Sequence, residues 1–574
     1  MKRSILLLLS LAFWAPPRKV PAQSYRDAPS GPLVISERWP QATDLVSWTR
    51  DVMRLERLEN VSETAQAIAF FQWLRLFSRM AVGGMIQPYE GDYGHEAYVT
   101  DEQKTLFVYG WGYCDTFSRI AEAAWKEFKH DPLSAERVCV QHDNGDFRTM
   151  YRLRLDGRHA AFDARYGYYL IDRDAPDARV LDWAELHGKF VENRAYRCRC
   201  RPFFEILGLE WERALLLKPV YFETQEAWEK AGAPKESVFG DSKYEMGTQL
   251  HEMSFRMPRG TVIDRYWDNT ARRFYAPVVS RKLAEGAFLP SGRFYRVTDA
   301  SLAGNWPKYD PNYQKAEPYL AKVPAGEGYP ADMVGHKTIG QAWGRIRYVP
   351  NLRAGVDDAL EPGSTLVHAD EPPYLRAAQP AEGGQATFDF YSPYVLVDGV
   401  LDAELAGAAP TGIKLEIRTL RAKPATESAP DIWSPWQTLC AGVNHASVEL
   451  GKPRFNGKDV SIHGVYQFQI RVAVEPRANR REAAGLSDLR IELYFENGIM
   501  SIPQIFAGAN AIRFKLRNPA ALRGPLRVTY KYQAAKGERS HTQVLSAGDF
   551  HDGVARYAFN AAGLVRCESL SISY

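Results

Sequence analysis

Apolar positions change their period along the chain. Between residues 43 and 82 they recur at helical spacing. Leu45, Trp48, Val52 and Leu55 form one stripe, and Ala65, Ile68, Phe71, Leu74, Leu76 and Met80 form a second. Ser62, followed by Glu63 and Thr64, stands where an N-cap belongs. A third stripe, Phe117, Ile120, Ala121, Ala124, Trp125 and Phe128, predicts an amphipathic helix beginning near Cys114. The pattern then turns to short alternating runs: Arg137 to Gln141, Phe147 to Leu155, and Arg158 to Ala164. Asp156-Gly157 between the last two is a two-residue hairpin signal.

After about residue 240 the pattern is mainly that of strands. His251 to Met257 and Thr261 to Trp267 flank Pro258-Arg259-Gly260 and predict another hairpin. Residues 304 to 384 are rich in Pro, Gly and Ala and read as a loop-dominated connection. From Ala386 onward strands are predicted at sandwich spacing: Thr387 to Phe390, Ile413 to Thr419, Val465 to Val474, Leu489 to Phe495, Ile512 to Leu516 and Leu526 to Tyr532. Trp433 and Trp436 suit a sandwich core or rim, and aromatics there could also stack on sugars.

The first residues read as a secretory signal. Lys2 and Arg3 precede an apolar run from Ile5 to Trp14, and Val20-Pro21-Ala22 has the spacing of a cleavage site. The run is far shorter than the ~20 residues of a membrane-spanning helix. The mature chain is expected to begin near Gln23, outside the cytoplasm, with no stable membrane span; the alternative, to which Arg18 and Lys19 so near the cleavage site point, is an uncleaved anchor. A formal net charge of +3 over 574 residues gives no general case for nucleic acid. The six cysteines, Cys114, Cys139, Cys198, Cys200, Cys440 and Cys567, are too scattered for a disulfide scaffold. No pair has zinc-ribbon spacing and no histidines stand three or four apart, so no metal or other cofactor is expected.

Candidate chemistry concentrates at Gly110-Trp111-Gly112-Tyr113-Cys114. A cysteine at a helix N-terminus meets the positive end of the dipole and unpaired N–H groups, which favour thiolate. The glycines allow a tight turn and a close approach, and the N–H groups could hold an oxyanion. The bland alternative is a packed, inert thiol.

Gly-x-Cys opening a helix, then a strand, then a hairpin ending in Phe162-Asp163, resembles the transglutaminase-like superfamily across roughly residues 60 to 185. The resemblance implies a papain-like Cys–His–Asp fold, with Cys114 as nucleophile and Asp163 as the aspartate, followed by Tyr168-Tyr169-Leu170. More of the chain is similar to a group of exported bacterial proteins carrying this domain. Arg265, Trp267 and Asn269 fit an Arg-x-Trp-x-Asn signature. Ser392-Pro393-Tyr394, Phe495-x-Asn497, Pro503 and Gly508-Ala509-Asn510 fit a following sandwich.

Counting outward from the Asp156-Gly157 turn sets Leu155 opposite Arg158 and Met150 opposite Asp163. One hairpin face then carries Thr149, Tyr151, Leu153, Leu155, Ala160 and Phe162. The other carries Arg148, Met150, Arg152, Arg154, His159, Ala161, Asp163 and Arg165. The family pattern places its histidine at 148, where this chain has Arg148. An acidic residue and an aromatic are usual where Arg152 and His159 stand. His159 lies four residues from Asp163, roughly 13 Å away. His142, across Asp143-Asn144-Gly145, substitutes only in a different register. Arginine can hold a thiolate or pair with a carboxylate, but it cannot act as general base.

The expected fold class is α+β. Residues 1–22 form the signal, 23–100 a helical segment, 101–235 the transglutaminase-like core, 236–380 a β-rich extension with its connection, 381–500 a β-sandwich and 501–574 a C-terminal β module. Trp111, Gly112, Arg148 and Arg152 are the candidate binding residues, the arginines suiting a carboxylate, sulfate or phosphate unless nearby acids pair them. Three functions remain open: a non-catalytic or catalytically impaired binding or scaffolding protein; an active cysteine protease, amidase or acyltransferase; and a carbohydrate-associated surface protein. The partners expected are a peptide, a protein or an anionic polysaccharide.

Overall fold

The computed structural model describes residues 30–80, 89–90, 97–112, 114–142, 147–163, 168–169, 179–182, 217–218, 251–267, 341–356, 358–379, 381–406, 412–422, 432–451, 461–476 and 483–574. The segment expected to be a signal and cleavage site lies outside these residues. The protein is β-rich and built of several sheets with few helices. Among the described residues, no helix is long and apolar enough to cross a membrane.

The helices follow the apolar stripes. Helix α1, Leu45–Leu55, is capped by Asp44, whose side chain accepts from Ser47 N–H at 2.6 Å. Helix α2, Glu63–Phe77, is capped by Ser62 as its sequence predicts. A short turn, α3 (Glu102–Lys104), runs into a wide helical turn over Thr105–Tyr109 that ends at Gly110 with φ +64°. Helix α4, Cys114–Lys129, buries Phe117, Ile120, Ala121, Ala124 and Trp125 completely or nearly so. Trp48, Phe70 and Trp125 join α1, α2 and α4 through edge-to-face contacts.

Helix α4 packs on an antiparallel sheet ordered Leu217–Lys218, Ala135–His142, Phe147–Leu155, Arg158–Asp163, Tyr168–Tyr169. Its central hairpin has the expected register: Leu155 pairs with Arg158, Leu153 with Ala160 and Tyr151 with Phe162. Asp156 and Gly157 both have positive φ, +48° and +81°, as a type I′ turn requires. Glu63 secures the hairpin tip by accepting from Asp156 N–H at 2.8 Å and Lys129 Nζ at 2.6 Å.

The β-rich remainder is knitted out of sequence order. Its largest sheet places Thr261–Tyr266 between Gln341–Tyr348 and Leu564–Ser573. Gln341–Tyr348 in turn pairs with Gly485–Gly498. A second sheet, built on Gly384–Tyr391, Gln467–Val474 and Ile413–Ala422, lies against the first, with Tyr348 edge-on to Phe390 at 5.6 Å. The N-terminal strand Ser30–Ser36 pairs with Gly508–Arg517 near the other end of the chain.

The hairpin expected around Pro258-Arg259-Gly260 does not form. Thr261–Tyr266 takes its partners from residues 341–348 and 569–573, while Arg256 bridges to Ser30. Gly260 explains the redirection. It donates to Tyr574 O at 2.8 Å, and at φ +90° a Cβ there would stand 2.4 Å from Val349 O. The turn joins two distant segments instead of closing on itself. Within the stretch read as a loop-dominated connection, residues 341–348 form a long strand.

Candidate functional site

Gly110 and Gly112 serve the local fold. Gly110 takes the left-handed conformation that ends the preceding turn and donates to Thr105 O at 2.8 Å. A Cβ on Gly112 would stand 2.5 Å from Thr116 Cγ2 and 2.6 Å from Thr116 Cβ. Trp111–Gly112 runs parallel to Arg79–Met80, which fixes the chain just before α4. Tyr113 lies outside the described residues.

Cys114 is the first residue of α4, with 7% of its surface exposed, and its carbonyl accepts from Ser118 Oγ at 2.7 Å. Asp163 ends its strand and is fully buried. Continuing the hairpin register by one residue sets Met150 opposite Asp163, and Met150 pairs with Val138 on the other side. Arg148 occupies the same face two residues beyond Met150. By alternation this face is opposite the one bearing Arg137, Tyr151 and Phe162, which meets α2 and α4.

Neither candidate histidine stands beside Asp163 along the sheet. His159 Nε2 stands 3.2 Å from Glu136 Oε1, beside Arg152, whose Nε also meets Glu136. Arg152 Nη1 lies 3.9 Å from Asp182 as well. Arg152 is thus already paired with acids, Glu136 and Asp182. Arg154 is exposed, and Arg165 lies outside the described residues. His142 closes its strand opposite Leu217. Its backbone is two strands across and four residues along from Asp163, a separation of about 16 Å.

An ionic network beside Cys114 has no counterpart in the sequence reading. Asp115, the second residue of α4, is almost fully buried and meets Arg137 Nη1 at 3.0 Å. Arg137 Nε reaches Glu122 at 2.7 Å, and Glu122 accepts from Lys126 Nζ at 2.6 Å. Farther along the same helix, Arg119 Nε meets Glu102 at 3.2 Å and donates through Nη2 to Val99 O at 2.9 Å. Burial pushes the Asp115 carboxyl up against the pull of Arg137 and Arg119. Burial likewise raises Glu102 to about 7, against Arg119. The signal available in the sequence was a polar stripe at 115, 119, 122 and 126, spaced like a helix face. Solvated helix faces look the same. Among the described residues no group of three or more His, Cys, Asp or Glu is placed to hold a metal ion.

The signature residues of the β-rich part converge. Arg265 lies over Tyr394, 4.6 Å from its ring centre, and Tyr394 stacks on Phe495 at 5.4 Å. Trp267 packs near Tyr530 at 6.2 Å, and Tyr530 donates to Pro503 O at 3.2 Å. Asn510 closes a loop by donating to Phe506 O and Gly508 O. Asn269 lies outside the described residues. Trp433 and Trp436 are half-exposed at the sandwich rim, with Arg418 over both rings and Arg471 over Trp436.

No family model matches this chain, and no curated protein matches it. Among solved structures, part of the chain overlays loosely on a glycosyl hydrolase family 2 member from Bacteroides cellulosilyticus, with 9% identity and a TM-score of 0.12 over 38% of this chain and 25% of that one. The Bacteroides uniformis beta-glucuronidase gives 12% identity and 0.12 over 34% and 22% of the two chains. A Paenibacillus xanthan lyase gives 10% identity and 0.13 over 38% and 24%. The match therefore spans about a quarter or less of those proteins. Overlaps this loose carry no statement about fold or chemistry.

Proposed function

We propose that residues 101–235 form a transglutaminase-like unit that binds or scaffolds without acyl-transfer turnover, in a protein exported from the cytoplasm. The observation carrying this reading is where the His159 side chain and the His142 backbone stand relative to Asp163. Among the described residues, His159 is tied to Glu136 and His142 is about 16 Å away by register. The positions on Asp163's face that neighbour it across the hairpin are Met150 and Arg148. A cysteine mechanism needs a group that takes a proton and returns it to the leaving amine, and a guanidinium cannot do so. The ligand favoured is a peptide, a protein or an anionic polysaccharide.

The test compares wild type, Cys114→Ala and Arg148→His on a panel of peptide amides and primary amines. Little or no turnover in the wild type is expected. Robust wild-type turnover that vanishes in Cys114→Ala overturns the reading in favour of an active cysteine enzyme, and its loss in His142→Ala would then name the base. N-terminal sequencing of exported material tests the expected start near Gln23.

A further inference from the structure

Arg265 carries a charge that the described residues leave uncompensated. It sits within the large sheet, pairing with Gly344 on one side and Leu570 on the other, with only 7% of its surface exposed. Its Nη2 donates to Ser501 O at 3.1 Å, and Tyr394 shares a hydrogen bond with it. Its Nε has no hydrogen-bond partner among the described residues. The adjacent acid, Asp264, is engaged elsewhere, by Arg345 at 2.8 Å and Ser571 Oγ at 2.7 Å.

Among the described residues, the groups facing Arg265 supply no negative charge. Burial holds the phenols of Tyr394 and Tyr530 above their ordinary values, so both are neutral at physiological pH. A cation over a ring returns part of the lost hydration, but a buried, unpaired ion costs several kcal/mol. Arginine does not escape that cost by losing its proton.

A cavity of about 30 Å³ opens beside the guanidinium. Arg265, Tyr394, Ser501, Ser36 and Gln41 contribute its polar lining, and Val34, Phe255 and Pro503 belong to its apolar wall. The volume exceeds what one water needs and suits one compact ion.

We propose that Arg265 and this cavity form a receptor for one compact monovalent anion, of the size of chloride or a carboxylate head group. The anion lies where the N-terminal strand Ser30–Ser36 crosses the sheet, and it receives the Arg265 Nε–H. It joins the N-terminal strand to the β-rich part independently of the Cys114 unit.

The experiment follows thermal unfolding of the full chain at constant ionic strength, exchanging bulky gluconate for chloride, formate or N-acetylglycine. A saturable rise in Tm of roughly 1–3 °C is expected with chloride, formate or both. A rise with N-acetylglycine as well would assign the site to carboxylates carried on larger molecules. Arg265→Met should abolish the dependence and keep or raise Tm in gluconate. Absence of a saturable effect in the wild type, as for a cavity holding only water, overturns the proposal, as does an undiminished effect in Arg265→Met. If that variant fails to fold, chloride-35 NMR of the wild type decides. Line broadening reversed by formate supports the site, and no broadening together with no saturable rise in Tm in formate overturns it.

Discussion

Arg137 meets Asp115 at 3.0 Å across the interface between α4 and its sheet, one residue beyond Cys114. The same guanidinium reaches Glu122 at 2.7 Å, so one side chain ties two turns of the helix to one strand. Both carboxylates lie where water is scarce, which makes the pairing costly to break and sets the helix start firmly on the sheet.

Arg137→Ala leaves two buried acids without their shared cation. The expected loss is about 3–5 kcal/mol of stability, the range for breaking a buried ion pair from one side. Arg137→Lys, with one compact charge in place of a fork, should recover only part of it. Denaturant unfolding followed by tryptophan fluorescence measures both variants. A loss under about 1 kcal/mol for Arg137→Ala would mean that the network contributes no more than a surface pair.

Glu102 gives a pH dependence with a defined sign. Burial raises its carboxyl from 4.5 to about 7, against the pull of Arg119 and with a small push from Asp101. Between those values the folded protein holds a proton that the unfolded chain has released. The contribution to stability is therefore fully present below about 4.5 and is lost as pH rises through 7. The span corresponds to roughly 3 kcal/mol. Glu102→Gln should remove this falling limb, so its stability relative to wild type should rise between pH 5 and 8. A difference that stays constant over that range would show that Glu102 does not titrate there.

The hairpin was legible because its determinants are local. Asp156-Gly157 fixes the turn, the turn fixes the register, and alternation then assigns Asp163, Met150 and Arg148 to one face. The start of α4 at Cys114 was legible for a similar reason, since the apolar stripe and the glycines before it lie close together. The strand at residues 341–348 was hidden by its own small residues. Ala342 and Gly344 occupy buried positions beside Ile346 and Tyr348, and neither reads as a strand former. The ionic network was hidden because Arg137 comes from a different element than Asp115 and Glu122. No spacing within α4 announces a partner that only the fold supplies.

Gly344 makes that small-residue logic testable. A Cβ there would stand 2.0 Å from Phe495 Cζ and 2.8 Å from Asp264 O. Phe495 cannot withdraw freely, because it packs against Tyr394 at 5.4 Å and Phe255 at 5.5 Å. Gly344→Ala should cost about 1–3 kcal/mol through overpacking. Phe495→Leu in the same chain should return part of that loss by removing the ring, measured as a double-mutant cycle. Strict additivity of the two substitutions would show that the ring is not what Gly344 accommodates.

The close approach of Gly112 to Thr116 bears on how Cys114 is shielded. The atoms a new Cβ would strike include Thr116 Cβ at 2.6 Å, which no side-chain rotation can move. Gly112→Ala must therefore shift backbone at the first turn of α4, where Cys114 has only 7% of its surface exposed. In the wild type, alkylation by iodoacetamide should be slow, since the reagent must wait for the helix start to open. In Gly112→Ala the same reaction should be at least about tenfold faster, equivalent to roughly 1.4 kcal/mol less protection. Thr116→Ala keeps the Cβ and should not rescue the variant, whereas Thr116→Gly should. Peptide mapping separates Cys114 from the other thiols, and Cys567, whose thiol burial raises to about 11, serves as the slow internal reference. Equal labelling of Cys114 in wild type and Gly112→Ala would show that the contact with Thr116 does not set access to the thiol.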